Sequence, residues 1–405
     1  MWFAVLLALS LQSSDPLELA WQLAAGGDRS GAEAVLQKLV TSDSRNTDAH
    51  LLYGNLLAED GKKDEALAEL KIAVVQRPQS AEAWNSLGEA SNRFKRKEEA
   101  RDAFERAVLA DPHFGIAQSN LARSLYEADE KEQAKDHAMR AIALLADSKE
   151  AADAIYLLGK LELNAGNPTK AADYFSQAVR LMPDFASAWS DLGQAKKLLL
   201  DNAGAIEAFE RAAKLDGNDA VAQYRLGAEY LRQDKPGEAL APLQAAARAN
   251  ADDQSTLNAL AMAYQRLGRL EEAAQTRRKL TEVIRRRDLE SQNALSALRL
   301  NNQGAELEKA GKLKDALDLY RQAVALNGKH AGIRSNYAVA LLRLGQWRQG
   351  LDEMQRAQDL DPDNKQIERA LKDAILQAPA SELPDWARSA RNLPNQVAPN
   401  QKQDP

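Results

Sequence analysis

Four histidines, at 50, 113, 137 and 330, are the first residues to weigh for metal binding or acid–base work. None has an H-E-x-x-H partner or a second ligand at helical spacing, so none reads as part of a metal site. The chain has no cysteine. That removes thiol nucleophiles, disulfides, thiolate zinc sites and iron–sulfur clusters. Walker A, G-x-G-x-x-G and G-x-S-x-G motifs are also absent from the sequence. The acid pairs Glu98-Glu99 and Glu271-Glu272 read as carboxylates that favour a helix start, not as a catalytic dyad. The chemistry left is hydrogen bonding. Short amides and hydroxyls recur in pairs: Asn85-Ser86, Ser119-Asn120, Ser190-Asp191, Asn301-Asn302 and Ser335-Asn336, with Asn258 before Ala259. Ser, Asn and Asp are poor helix-interior residues because their side chains compete for the backbone. Something other than helix propensity keeps them there.

The elements that carry these pairs follow from their spacing. Trp84, Leu87, Gly88, Ala100, Phe104, Ala107 and Pro112 fall at positions 4, 7, 8, 20, 24, 27 and 32 of a 34-residue frame starting at Ala81. The frame recurs from residues 13, 47, 115, 152, 186, 220, 254, 297 and 331. Each unit reads as two amphipathic helices. Small residues at 8, 20 and 27 let the backbones approach, and large ones at 4, 7, 11 and 24 fill the space between. One unit cannot bury its apolar face alone, so units must stack. In period and pattern (W-x2-L-G…A-x3-F…P) residues 13–364 resemble the tetratricopeptide repeat (TPR) family, in ten tandem repeats. The resemblance implies an all-α solenoid, a right-handed superhelix whose concave wall is made of the first helices.

In that frame, positions 2, 5, 6, 9, 12 and 13 of each first helix face the groove. The candidate partner-binding set is therefore Asn85, Ser86, Glu89, Ser119, Asn120, Arg123, Tyr156, Ser190, Asp191, Gln194, Tyr224, Arg225, Asn258, Asn301, Asn302, Ser335 and Asn336. The polar pairs fit two roles. They can bond an extended peptide backbone, similar to the asparagine ladder in the TPR region of O-linked N-acetylglucosamine transferases. They can equally pack between neighbouring repeats. Tyr156-Leu157 and Tyr224-Arg225 interrupt the ladder, and these aromatics suit specificity contacts. Position 13 is basic at Arg93, Arg232, Arg266, Lys309 and Arg343. That suits an acidic peptide, and it also suits the negative end of the helix dipole. The two-carboxylate clamp of chaperone-binding TPR domains is not supplied by any three successive repeats.

Residues Trp2–Leu9 are apolar, with Ala8 and Ser10 as small residues before a cut, so 1–12 read as a secretory signal without its basic start. Eight repeats fill 13–287. Three extra residues near Lys149–Ala151, with Asp147 and Glu150 as a capping box, predict a longer first helix in the fifth repeat. Residues 288–296 separate repeats eight and nine and predict a kink, with a polar turn near Asp288–Ser291 between two overlong helices. The segment Thr276–Asp288 is strongly basic and reads as paired surface charges or as a dock for an acidic partner. Repeats nine and ten fill 297–364, and KQIERALKDAILQ (365–377) predicts a capping helix. From Ala378 the chain is proline-rich and predicts a disordered tail, with Trp386 as a docking point.

The charge balance, 53 − 59 = −6, gives no sign of a nucleic-acid partner. The leading apolar run is too short to span a bilayer, and no residue set calls for a cofactor. These features together predict an exported, non-enzymatic scaffold that binds protein or peptide partners in its groove. Two other roles remain open: a regulatory or substrate-selecting subunit of an enzyme such as a glycosyltransferase whose catalyst is on another chain, and a self-associating protein joined through 288–296.

Overall fold

The computed structural model describes residues 15–391, with side chains to residue 388. The predicted signal segment and the end of the tail lie outside the described residues. Helices follow the 34-residue frame. α1 (Pro16–Ala25) pairs with α2 (Arg29–Ser42), α3 (Thr47–Glu59) with α4 (Lys63–Gln76), α5 (Ala81–Arg93) with α6 (Lys97–Ala110), and α7 (Gly115–Glu127) with α8 (Lys131–Leu145). The series continues with α9 (Ala152–Asn164) and α10 (Pro168–Leu181), α11 (Ala186–Leu198) and α12 (Asn202–Leu215), then α13 (Ala220–Arg232) and α14 (Pro236–Ala249). After α15 (Gln254–Arg266) come α16 (Leu270–Lys309), α17 (Leu313–Leu326), α18 (Ala331–Arg343), α19 (Trp347–Leu360), α20 (Lys365–Gln377) and α21 (Asp385–Arg391). The chain divides into two compact units, Met1–Leu280 and Thr281–Pro405.

The volume pattern sets the pairing within a repeat. Gly193 on α11 faces Phe209 on α12, and a Cβ built on that glycine would sit 2.6 Å from the ring. Gly88 and Gly159 meet Phe104 and Phe175 in the same way. Phe104, Phe175 and Phe209 are fully buried, with Ala107, Ala178 and Ala212 beside them on the same helices. Interiors packed to this density admit no extra methyl without displacement. Second helices then pack on the first helix of the next repeat, as α4 does on α5 and α10 on α11.

Each first helix ends in the same way. The fifteenth residue of every repeat has positive φ: Gly27, Gly61, Lys95, Asp129, Gly166, Leu200, Asp234, Gly268, Gly311 and Gly345. This left-handed residue turns the chain into the second helix, as at many helix C-termini. The 34-residue frame as read from the sequence did not include it. Glycine at six of the ten positions was the available signal.

Three expectations are corrected. The extra residues at 149–151 form a 3-10 turn ahead of a 13-residue α9, not a longer α-helix. The chain enters the turn after Ala146, which has φ 50°, and Ser148 stands at the N-cap in place of Asp147. Second, the polar turn near Asp288–Ser291 does not form. α16 is one helix of 40 residues. Charge does not break a helix, whereas Gly and Pro do, and neither occurs from Arg269 to Gln303. Third, the chain after Ala378 is folded as far as it is described. Ala378, Leu383 and Ala387 are buried against the core of α19 and α20, and Trp386 Nε1 donates to Asp352 Oδ1 at 3.0 Å. Ahead of this segment, α20 buries Ile367, Leu371, Ala374 and Ile375 in the same core, with Leu351 and Met354 of α19.

Candidate functional site

First helices of successive repeats stand side by side in the first unit: α3 contacts α5, α5 contacts α7, α7 contacts α9, and the series runs on to α15. Two recurrent bonds build this wall. One uses the residue at position 4. Trp84 Nε1 donates to Pro78 O at 2.9 Å, and Trp189 Nε1 to Pro183 O at 2.9 Å. Gln118 reaches Pro112 O at 2.9 Å, and Arg334 in the second unit reaches Gly328 O at 3.0 Å. His50 Nε2 lies 3.1 Å from Ser44 O in the same arrangement. In each case a donor satisfies the carbonyl six residues upstream, in the loop that enters the helix.

That bond accounts for two histidines. His50 is buried in it, with Glu69 on its other nitrogen. Gln118, whose amide is oriented by Pro112 O, turns its Oε1 to His137 Nδ1 at 2.6 Å. Burial, with Arg140 nearby, holds the His137 pKa below its ordinary value. His330 caps α18, its Nδ1 accepting from Ile333 N. Among the described residues no group of three His, Asp or Glu is placed to hold a metal ion.

The second recurrent bond joins position 5 of one repeat to position 6 of the next, 35 residues on. Asn120 Nδ2 donates to Asn85 Oδ1 at 2.9 Å. Tyr156 OH donates to Asp191 Oδ2 at 2.8 Å, and Arg225 Nη1 to Ser190 Oγ at 2.8 Å. In the second unit Asn336 Nδ2 donates to Asn301 Oδ1 at 2.9 Å. The two amide pairs thus satisfy one another between neighbouring helices, while the Tyr156 and Ser190 hydroxyls are engaged by the Asp191 carboxylate and the Arg225 guanidinium; Asn85, Asn120 and Ser190 are buried. A neutral hydrogen bond of this kind contributes about 1 kcal/mol, whereas an orphaned buried partner costs about 1–3 kcal/mol. The bonds explain why poor helix formers stand at Asn85, Asn120, Ser190, Asp191, Asn301 and Asn336.

Charged groups attach to the bonded pairs. Glu89 Oε1 accepts from both Asn85 and Asn120, each at 3.0 Å, and Arg123 donates to Asn120 Oδ1 at 2.8 Å. Arg225 also reaches Asp191 Oδ1 at 2.8 Å. Tyr156 packs against the Phe175 and Phe185 rings. Its burial, and then the Asp191 charge, push its hydroxyl pKa far up. Ser86 accepts from Asn55 at 3.3 Å. Gln194 is half-buried, and Tyr224 packs at the edge of the core around Leu243.

The remaining predicted residues stay local. Asn258 is exposed, with Met262 Sδ 3.9 Å away on its own helix. Exposed Asn302 accepts from Asn301 at 3.4 Å, and Ser335 faces Met354 Sδ at 3.6 Å. Of the position-13 cations, Arg266 donates to Leu231 O at 2.7 Å, a last-turn carbonyl of the preceding first helix. Lys309 pairs with Glu306 at 2.8 Å, one turn back in α16. Arg93 is exposed at the C-terminal end of α5.

Family models described as tetratricopeptide repeat match residues 17–81, 59–113, 119–186 and 156–220, then 252–328, and then 307–374. Tetratricopeptide repeat protein 36 of Homo sapiens is 41% identical over 68 residues, 17% of this chain and 36% of that protein. Superkiller protein 3 of Schizosaccharomyces pombe is 43% identical over 67 residues, 16% of this chain and 5% of that protein. The matches thus span about a third of the first relative's length and a twentieth of the second's. Among solved structures, Pseudomonas aeruginosa pilF has 19% identity and a TM-score of 0.48, covering 53% of this chain and 97% of that one. A repeat protein from Parabacteroides merdae has 16% identity and a TM-score of 0.48, with 61% and 97% covered. At these TM-scores neither likeness bears on function.

Proposed function

Because the chain belongs to the tetratricopeptide repeat family, whose members generally mediate protein–protein interactions, we propose that it is a non-enzymatic scaffold. Its first unit holds a protein or peptide partner against the wall of first helices. The supporting observation is the row of bonds from position 5 to position 6. The bonds tie α5 to α7, α9 to α11 and α11 to α13, while position 9, with Glu89, Arg123 and Gln194, carries side chains on the same face. A wall fixed in advance lowers the ordering cost of binding. Specificity then rests on position 9 and position 13, because the short amides are already engaged with one another. A photo-crosslinking residue at Gln194 should capture a partner in cells. The same residue at Leu109, 80% exposed on α6, should not. Equal capture at both places, or none at Gln194, counts against the groove.

Export is part of the same proposal and rests on the apolar run Trp2–Leu9 before Ala8 and Ser10. The mature chain should begin at or near Leu11. Recovery of intact Met1 from the cytosol would refute it.

A further inference from the structure

One place on the wall departs from the repeating pattern. The 3-10 turn at Lys149–Ala151 interrupts the 34-residue register and brings Glu150 to the edge of a recess of about 500 Å³. Asp153, in the first turn of α9, lies on the same side. Arg93 from the end of α5 and Arg123 from the middle of α7 supply the other charges, with partly exposed Ile116 among the lining residues. Among the described residues no ion pair joins either arginine to either acid. Arg123 is steadied by its bond to Asn120 Oδ1, and Glu150 by its own backbone N–H, which holds its carboxyl below the ordinary carboxylate range. The recess therefore presents two cations and three anions, the third being Glu89, whose Oε1 is already engaged by Asn85 and Asn120.

We propose that this recess is the specificity site of the groove and takes an extended peptide segment of mixed charge. An acidic side chain of the segment lies at Arg93 and Arg123. A basic one lies at Glu150 and Asp153, and the residue between them covers Ile116. The proposal rests on the groove reading above and adds which chemistry is selected and where. A small apolar ligand is disfavoured, since such sites are lined mainly by apolar and aromatic groups, and here one isoleucine stands among charges. The arrangement also fixes direction. A segment threaded the other way sets acid against Glu150 and Asp153 and base against the arginines, and repulsion of that kind excludes wrong partners more strongly than attraction rewards right ones. The register slip is what makes the site, because without the three extra residues Glu150 has no counterpart in the repeat.

The test is selection from a random peptide library on the full chain, followed by charge reversal. Wild type should enrich peptides carrying an acid and a base a few residues apart. Glu150→Lys with Asp153→Lys should weaken the selected peptide at least about tenfold and should recover it when the peptide's basic residue is changed to Glu. Arg93→Glu with Arg123→Glu should do the converse. The neutral pair Glu150→Gln with Asp153→Asn should weaken binding less, with the helical signal unchanged. If both reversals leave the selected peptides bound as before, this site is wrong and the groove reading stands. If wild type selects no peptide at all, the groove reading fails and the site fails with it.

Discussion

His137 shows how much of a residue's role is set by its neighbour. Its Nδ1–H is directed by Gln118, whose own amide is fixed by Pro112 O. Burial and then Arg140 keep the ring neutral to lower pH than usual. The unfolded chain takes up a proton as pH falls below the ordinary value of about 6.5, while the folded chain still declines it. Stability contributed here is therefore intact above that pH and declines on acidification. His137→Gln removes the titration and keeps a donor for Gln118. The variant should lose less unfolding free energy than wild type between about pH 7.5 and about pH 5. Equal losses in urea titrations at the two pH values would show that this histidine does not contribute. Neither the bond nor the burial was legible in an isolated His at 137. The clue was Gln118, which stands where repeats three and six carry Trp.

At the scale of the element, the turn after each first helix needs a left-handed residue, and four repeats place a side chain there. Leu200 is the most demanding, with φ 61° and 80% exposure. An L-residue in this region costs about 1–2 kcal/mol, and little burial offsets it. Leu200→Gly relieves the strain but adds freedom to the unfolded chain. The net expectation is a gain of about 0.5–1 kcal/mol, read as a higher urea midpoint. Gly166→Leu should move the midpoint the other way. A fall in the Leu200→Gly midpoint would mean that the leucine makes contacts worth more than its strain. The helices themselves were legible because their periodic volumes are written in every repeat. The joint at 288–296 was misjudged because a run of charges resembles a surface turn. A helix with no Gly or Pro has no physical reason to stop there.

For the whole molecule, the repeat count and pair order came from sequence, and so did the location of the register slip. What the slip builds did not. A capping box and a 3-10 turn use similar residues, and only the backbone turn after Ala146 distinguishes them. As far as residue 391, the tail is folded where its proline count predicts disorder. Ala378, Leu383 and Ala387 were the residues that mattered, since three apolar side chains suffice to dock a short segment on an open core.

The bonds from position 5 to position 6 carry a kinetic consequence. Each closes about 35 residues of chain. Loop-closure entropy grows only with the logarithm of loop length, and folding slows as contacts become more distant in sequence. A chain of 405 residues whose tertiary bonds recur at one short span meets the closure barrier of a small domain, repeated. Folding can begin at any helix pair and spread to its neighbours, so the length of the array adds steps without adding a slower one.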